Sequence, residues 1–101
     1  MELSEIRRSI DAVDDQLLNL FLERMRLSEA VGTYKNENHL PIPNKQRERE
    51  ILAKVAEKAG SQERYAYHLF STLFELSRSR QAELVNTPTR GGAPIESSLA
   101  A

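Results

Sequence analysis

Six residues carry the chemistry available to this chain: Arg24, Lys35, Arg47, Glu48, Ser77 and Gln81. Each interrupts or extends a line of apolar residues at helical spacing. Arg24 stands where an apolar residue is due between Leu20 and Leu27. An arginine keeps its charge in a protein, and a charge taken out of water without a partner costs several kcal/mol or more. Lys35 follows Arg24 by eleven residues. That is three turns with about 20° of drift, so the two cations share a face roughly 16 Å apart along the axis. Ser77 and Gln81, one turn apart, continue the line of Phe70 and Leu73, and Arg47 and Glu48 lie one turn before the apolar stripe that starts at Ile51.

A further cation, Arg7, precedes Arg24 by seventeen residues, which places it about 25 Å away and turned by about 100°. It cannot serve the same small ligand from the same copy of the helix, but in an antiparallel pair of such helices Arg7 of one chain comes level with Arg24 of the other. The cluster then holds four cations against one carboxylate, a balance that points to a ligand with more than one negative charge, such as a dicarboxylate.

Several other chemistries are not supported. Ser77 has only His68 on its helix as a base, nine residues away and on the opposite face, so no hydrolase triad is expected. There is no glycine-rich phosphate loop, and Glu48 stands alone among cations where glycosidic chemistry needs paired carboxylates. The absence of cysteine removes disulfides and thiolate chemistry, and the two histidines form no clustered motif, so neither metal nor cofactor is expected. A site that grips an anion and presents fixed donors suits a unimolecular rearrangement. A helical scaffold with salt-bridged rims remains the alternative, in which Arg24 reaches the surface and Arg47 and Glu48 solvate a helix start.

The elements that must hold these residues follow from periodicity. Leu3, Ile6, Ile10, Val13, Leu17, Leu20, Leu27, Val31 and Tyr34 recur at steps of three and four apart from the one gap at Arg24. They predict a helix from about Ser4, a candidate N-cap, to Asn38, with Gly32 a candidate break. Such a rod is roughly 50 Å long and cannot be covered by the rest of a 101-residue chain, which implies a second chain. Leu18, Phe21, Leu22 and Met25 widen its apolar face, as a bundle requires.

Pro41 and Pro43 end that helix, and Asn44 is placed to cap a second one, Lys45 to Ala59, stopped by Gly60. A third runs from about Ser61 or Gln62 to Val85, with Ala66, Leu69, Phe70, Leu73, Phe74, Leu76 and Leu84 inward. The expected fold is all-α: a three-helix chain with a long first helix, intertwined as a helical homodimer. One domain is expected over residues 1–86, and a disordered tail or interdomain linker over the Pro- and Gly-rich residues 87–101.

With 40% hydrophobic and 29% charged residues and a net charge of -1, the chain gives no electrostatic case for nucleic acid or an anionic membrane. No apolar run is long enough to span a bilayer, and no signal sequence opens the chain, so the cytoplasm is the expected location.

The run I-R-R-S-I-D-A-V-D-D-Q-L-L-N-L-F-L-E-R, Ile6 to Arg24, closely resembles the opening of the all-helical chorismate mutases. V-G-T-Y-K (Val31 to Lys35), Q-R-E-R-E-I-L (Gln46 to Leu52) and S-R-S-R-Q (Ser77 to Gln81) match that family's remaining motifs in order and spacing, over residues 3–85 in all. The resemblance implies a homodimer that converts chorismate, a dicarboxylate, to prephenate by a Claisen rearrangement on the route to phenylalanine and tyrosine. Arg24 and Arg7 of the partner subunit would hold the carboxylates, with Ser77 assisting. Lys35 and Gln81 would donate to the ether oxygen of the breaking C–O bond, Glu48 would accept from the ring hydroxyl, and Arg47 would bind at that end. Asn44 stands where many members have aspartate and is expected to contribute to substrate binding or through its cap. Some relatives are fused to a prephenate dehydratase, and the tail would suit such a junction. Two alternatives accompany this reading: an isochorismate pyruvate-lyase of the same fold, and a non-catalytic helical dimerisation module.

Overall fold

The third helix, α3 (Glu63–Val85), is the element to which the others attach. The structure is a computed structural model that describes residues 1–85. The expected tail, 87–101, lies outside the described residues. Helix α1 spans Leu3–Glu37 and α2 spans Lys45–Ala59, and a single 3-10 turn, Gly60–Gln62, leads from α2 into α3. Among the described residues there is no strand, and the fold they form is all-α as expected.

Both α1 and α2 pack on α3 and not on each other. The second half of α1 runs parallel to α3: Arg24 meets Phe74 and Ser77, Glu29 meets Arg80, and Gly32 meets Gln81. Helix α2 returns antiparallel, with Glu48 bonded to Arg78, while Leu52, Val55 and Ala56 share a groove with Glu63, Arg64 and Tyr67 at the other end. Ile51, Leu52, Val55, Ala56 and Ala59 are half-buried and form the apolar stripe that starts at Ile51. On α3, Leu69, expected inward, is exposed.

Helix α1 passes through Gly32 without a break and accounts for the 53 Å length of the molecule. The radius of gyration, 16.5 Å, exceeds the roughly 12–13 Å of a compact chain of this size. Among the described residues, Phe74 is the only buried hydrophobic side chain. The long apolar seam of α1 does not face α3. Leu20 is 65% exposed and Leu27 53%, and Leu3, Ile6, Ile10, Val13, Leu17, Val31 and Tyr34 are exposed with them. The face that α3 covers is the neighbouring stripe through Phe21, Arg24, Ser28 and Gly32. No helix among the described residues is long and apolar enough to cross a membrane.

The helix ends follow local rules, with one correction. Helix α1 starts at Leu3, with Glu2 in the cap position and making no side-chain cap bond; Ser4 lies inside the first turn. The Glu2 carbonyl itself accepts the first turn's N–H groups, from Glu5 and Ile6, both at 3.0 Å. At the other end, Leu40 N–H donates to Lys35 O at 2.8 Å and His39 N–H to Asn36 O at 3.3 Å, the paired bonds of a Schellman stop. The motif needs a left-handed residue, and His39 fills it with φ 55°. A side chain with a Cβ is disfavoured there, so His39→Gly is expected to stabilise the protein by about 0.5–1 kcal/mol, read as a rise in the denaturation midpoint.

Asn44 caps α2 as its type and place predict, its Oδ1 accepting from Arg47 N–H at 3.0 Å. Asn44→Ala is expected to destabilise by about 1 kcal/mol, while Asn44→Asp keeps the cap and stays within a few tenths, both checked by chemical denaturation. Gly60 ends α2 at φ 56°, ψ -122°, a conformation that only glycine adopts without strain. A Cβ there would touch nothing within 4 Å, so the backbone rather than packing requires the glycine.

Candidate active site

Arg24, Ser28, Gly32 and Lys35 follow one another at steps of four, four and three, which stacks them on the side of α1 turned to α3. Phe74, Ser77 and Gln81 do the same on α3. Where these two rows meet, the partner that Arg24 requires is supplied by a hydroxyl and a ring. Arg24 Nη1 donates to Ser77 Oγ at 2.8 Å, and its guanidinium carbon lies 5.8 Å from the centre of the Phe74 ring, within cation–π range. Among the described residues Arg24 has no ion pair.

Burial lowers the pKa of Arg24, and the like charge of Arg47 lowers it further. The guanidinium remains protonated all the same, so these effects register as unrelieved positive potential. Arg47 comes from the first turn of α2, so two cations from separate helices bear on one place. Such a concentration of positive charge suits an anion.

Two further polar groups lie deep beside it. Ser77 is 8% exposed and Gln81 6%. Ser77 shares a 2.8 Å hydrogen bond with Ser28 Oγ as well as accepting from Arg24. Gln81 Oε1 has no hydrogen-bond partner among the described residues, although it is buried. An orphaned buried amide oxygen costs about 1–3 kcal/mol, which a fold tolerates where a ligand or function supplies the return. Gly32 lets Gln81 sit this deep: a Cβ on Gly32 would come within 3.0 Å of Gln81 Cγ and 3.3 Å of its Cα.

Lys35 is half-buried and donates to the Ile42 carbonyl at 2.5 Å, tying the Pro-rich connector to α1. An ammonium has three donors, so two remain for a ligand. Glu48, the site's lone carboxylate, is half-buried and bonded to Arg78. Asn44 has its side-chain oxygen engaged in the helix cap.

Seven of the eight expected residues thus come from the meeting of α1 with α3 and from the α2 entry. Arg7 does not: it lies exposed on the first half of α1, about 25 Å along the axis from Arg24. Ser28 and Arg78 belong to the same neighbourhood and were not singled out by sequence. Ser28 is one turn beyond Arg24 and Arg78 is next to Ser77, so their positions were the available signal. Among the described residues, no three His, Asp or Glu side chains are grouped closely enough to hold a metal ion.

Comparison with known proteins identifies the family. Residues 6–82 match the model of the family described as chorismate mutase type II. The chain is 31% identical over 85 residues to a protein named chorismate mutase from Methanocaldococcus jannaschii, covering 81% of this chain and 86% of that one. It is 43% identical over 54 residues to a bifunctional chorismate mutase/prephenate dehydratase from Aquifex aeolicus, covering 54% of this chain and 15% of that protein. Against the Escherichia coli protein of the same name the identity is 34% over 74 residues, covering 73% of this chain and 19% of that one. The chain therefore spans under a fifth of the bifunctional relatives and most of the shorter one. No solved structure matches. The match over residues 6–82 and the near-full-length likeness to the shorter relative establish that the chain belongs to the type II chorismate mutase family.

Proposed function

We propose that this chain is a chorismate mutase, an isomerase that converts chorismate to prephenate in phenylalanine and tyrosine biosynthesis, working in the cytoplasm as an intertwined homodimer. The observation that carries the reading is Arg24, half-buried without an ion pair among the described residues and bonded to Ser77, beside the buried Gln81 whose amide oxygen has no partner there. Chorismate brings two carboxylates. Arg24 holds one of them together with Ser77, and Arg7 of the partner subunit reaches the substrate from the other chain. Arg47 binds at the ring hydroxyl end, where Glu48 accepts a hydrogen bond from that hydroxyl.

The reaction is a concerted rearrangement: one C–C bond forms as one C–O bond breaks, and no proton or electron leaves the substrate. Negative charge gathers on the ether oxygen in the transition state. Lys35, with two free donors, and the Gln81 amide, presented through its Nε2, meet that charge there and lower the barrier. Asn44 acts through the cap that sets the first turn of α2.

The homodimer rests on the uncovered seam of α1 and on there being a single buried apolar side chain among the described residues. Antiparallel pairing of two 35-residue helices covers that seam and brings the partner's Arg7 level with Arg24. Residues 1–86 form the catalytic domain in this reading, and 87–101 a linker. The test is loss of chorismate absorbance with purified protein, with product identified, alongside mass in solution. Turnover to prephenate by a dimer is the expected result. A folded protein that leaves chorismate untouched would overturn the reading, and cleavage of isochorismate or no activity at all would redirect it to the lyase or to a scaffold.

A further inference from the structure

Glu48 is the only acid among the cations of the site, and its surroundings present a choice. Arg47 is its neighbour in sequence, and Arg47 in turn acts on Arg24. A carboxylate free to swing would fold onto these cations and neutralise the charges that should meet the substrate. Among the described residues it pairs with neither; its Oε2 is held instead by Nη1 of Arg78, on α3. Arg78 immediately follows Ser77 and precedes Gln81 by three, so one turn of α3 carries both buried site residues and the tether. Helix α2 does not pack on α1; what positions it relative to the α1 half of the site is the shared packing on α3 and the connector, which Lys35 ties down at Ile42.

Resting on the proposed mutase activity, we infer that Arg78 is a positioning residue. It fixes the Glu48 carboxylate by Oε2, leaves Oε1 to accept from the substrate hydroxyl, and keeps the acid away from Arg24 and Arg47. The pair is partly exposed, with side chains 37% and 23% accessible, so its contribution to folding is small and its main effect is on orientation.

A double-mutant cycle tests this. Arg78→Met, which keeps the apolar stem, is expected to lower kcat/KM for chorismate about tenfold or more in the wild-type background. Arg78→Lys, which keeps a charge, should recover most of that loss. In a Glu48→Gln background, Arg78→Met should change kcat/KM by less than about twofold, because the group it acts through has already gone. Melting curves establish that every chain is folded at the assay temperature, and Arg78→Gln replaces the methionine variant if that one is not. Equal fold losses in both backgrounds, or no loss in the wild type, would overturn the role of Arg78 alone. An inactive wild type would overturn the mutase reading and this role with it.

Discussion

Arg24→Ala is expected to lower kcat/KM for chorismate by about a thousandfold, or ~4 kcal/mol, while leaving the melting temperature unchanged or higher. The two halves of this expectation have one cause. Arg24 is half-buried, has no ion pair among the described residues and lies within reach of the repulsion of Arg47. Its pKa is lowered, meaning that the folded chain disfavours its charge, so at any ordinary pH the cation opposes folding. Removing it relieves that opposition but leaves a substrate carboxylate buried without its counter-charge. If activity fell only in proportion to lost stability, Arg24 would be a structural residue and the assignment would fail. A mixture sharpens the test. Arg7→Ala and Arg24→Ala chains refolded together in equal amounts should regain about a quarter of wild-type activity, since half the dimers are mixed and each mixed dimer restores one of its two sites. No regain would remove Arg7 from the partner's site.

The second large effect is expected at Gln81. Gln81→Leu should lower kcat by about a hundredfold or more, the usual loss when one donor to developing charge is removed. Stability should be maintained or rise by about 1 kcal/mol, because the substitution deletes an amide oxygen that is buried without a partner and replaces it with an apolar group of similar size. Turnover by single-turnover kinetics and stability by urea titration give the two numbers independently. A stable variant with unchanged kcat would show that the buried amide serves packing against Gly32 alone.

The site residues were legible where they broke a pattern. Arg24, Ser77 and Gln81 stand on lines whose neighbours are apolar, and a charge or amide in such a place demands a partner. Asn44 was legible from capping chemistry, which depends on residues three apart. Ser28 and Arg78 were not, for a physical reason: serine is tolerated on any helix face, and an arginine beside a buried line reads as a solvated one until its partner on another helix is known. The same limit applies to α1 as a whole. Its seam states that a stripe will be buried, but two adjacent stripes lie within one helical face, and only the packed structure shows that α3 takes the polar one. The helix start at Leu3 escaped because serine's preference for caps is local, whereas here the carbonyl of Glu2 serves without a side chain. His39 escaped because the Schellman stop prefers glycine, and nothing in the type of the residue announces a left-handed backbone.

The bare seam of α1 has a consequence for how the protein behaves on dilution. Phe74 is the one buried apolar side chain of the described residues, so a partner that covered Leu3 to Tyr34 would add a large share of the free energy that holds the chain in shape. In the proposed dimer that cover is a second copy, so folding and association are a single event governed by mass action. The melting temperature should then climb with protein concentration, by several degrees per tenfold for a chain this small. At low enough concentration, catalysis would fade because the chains part and lose their shape together, with no folded single chain left to purify.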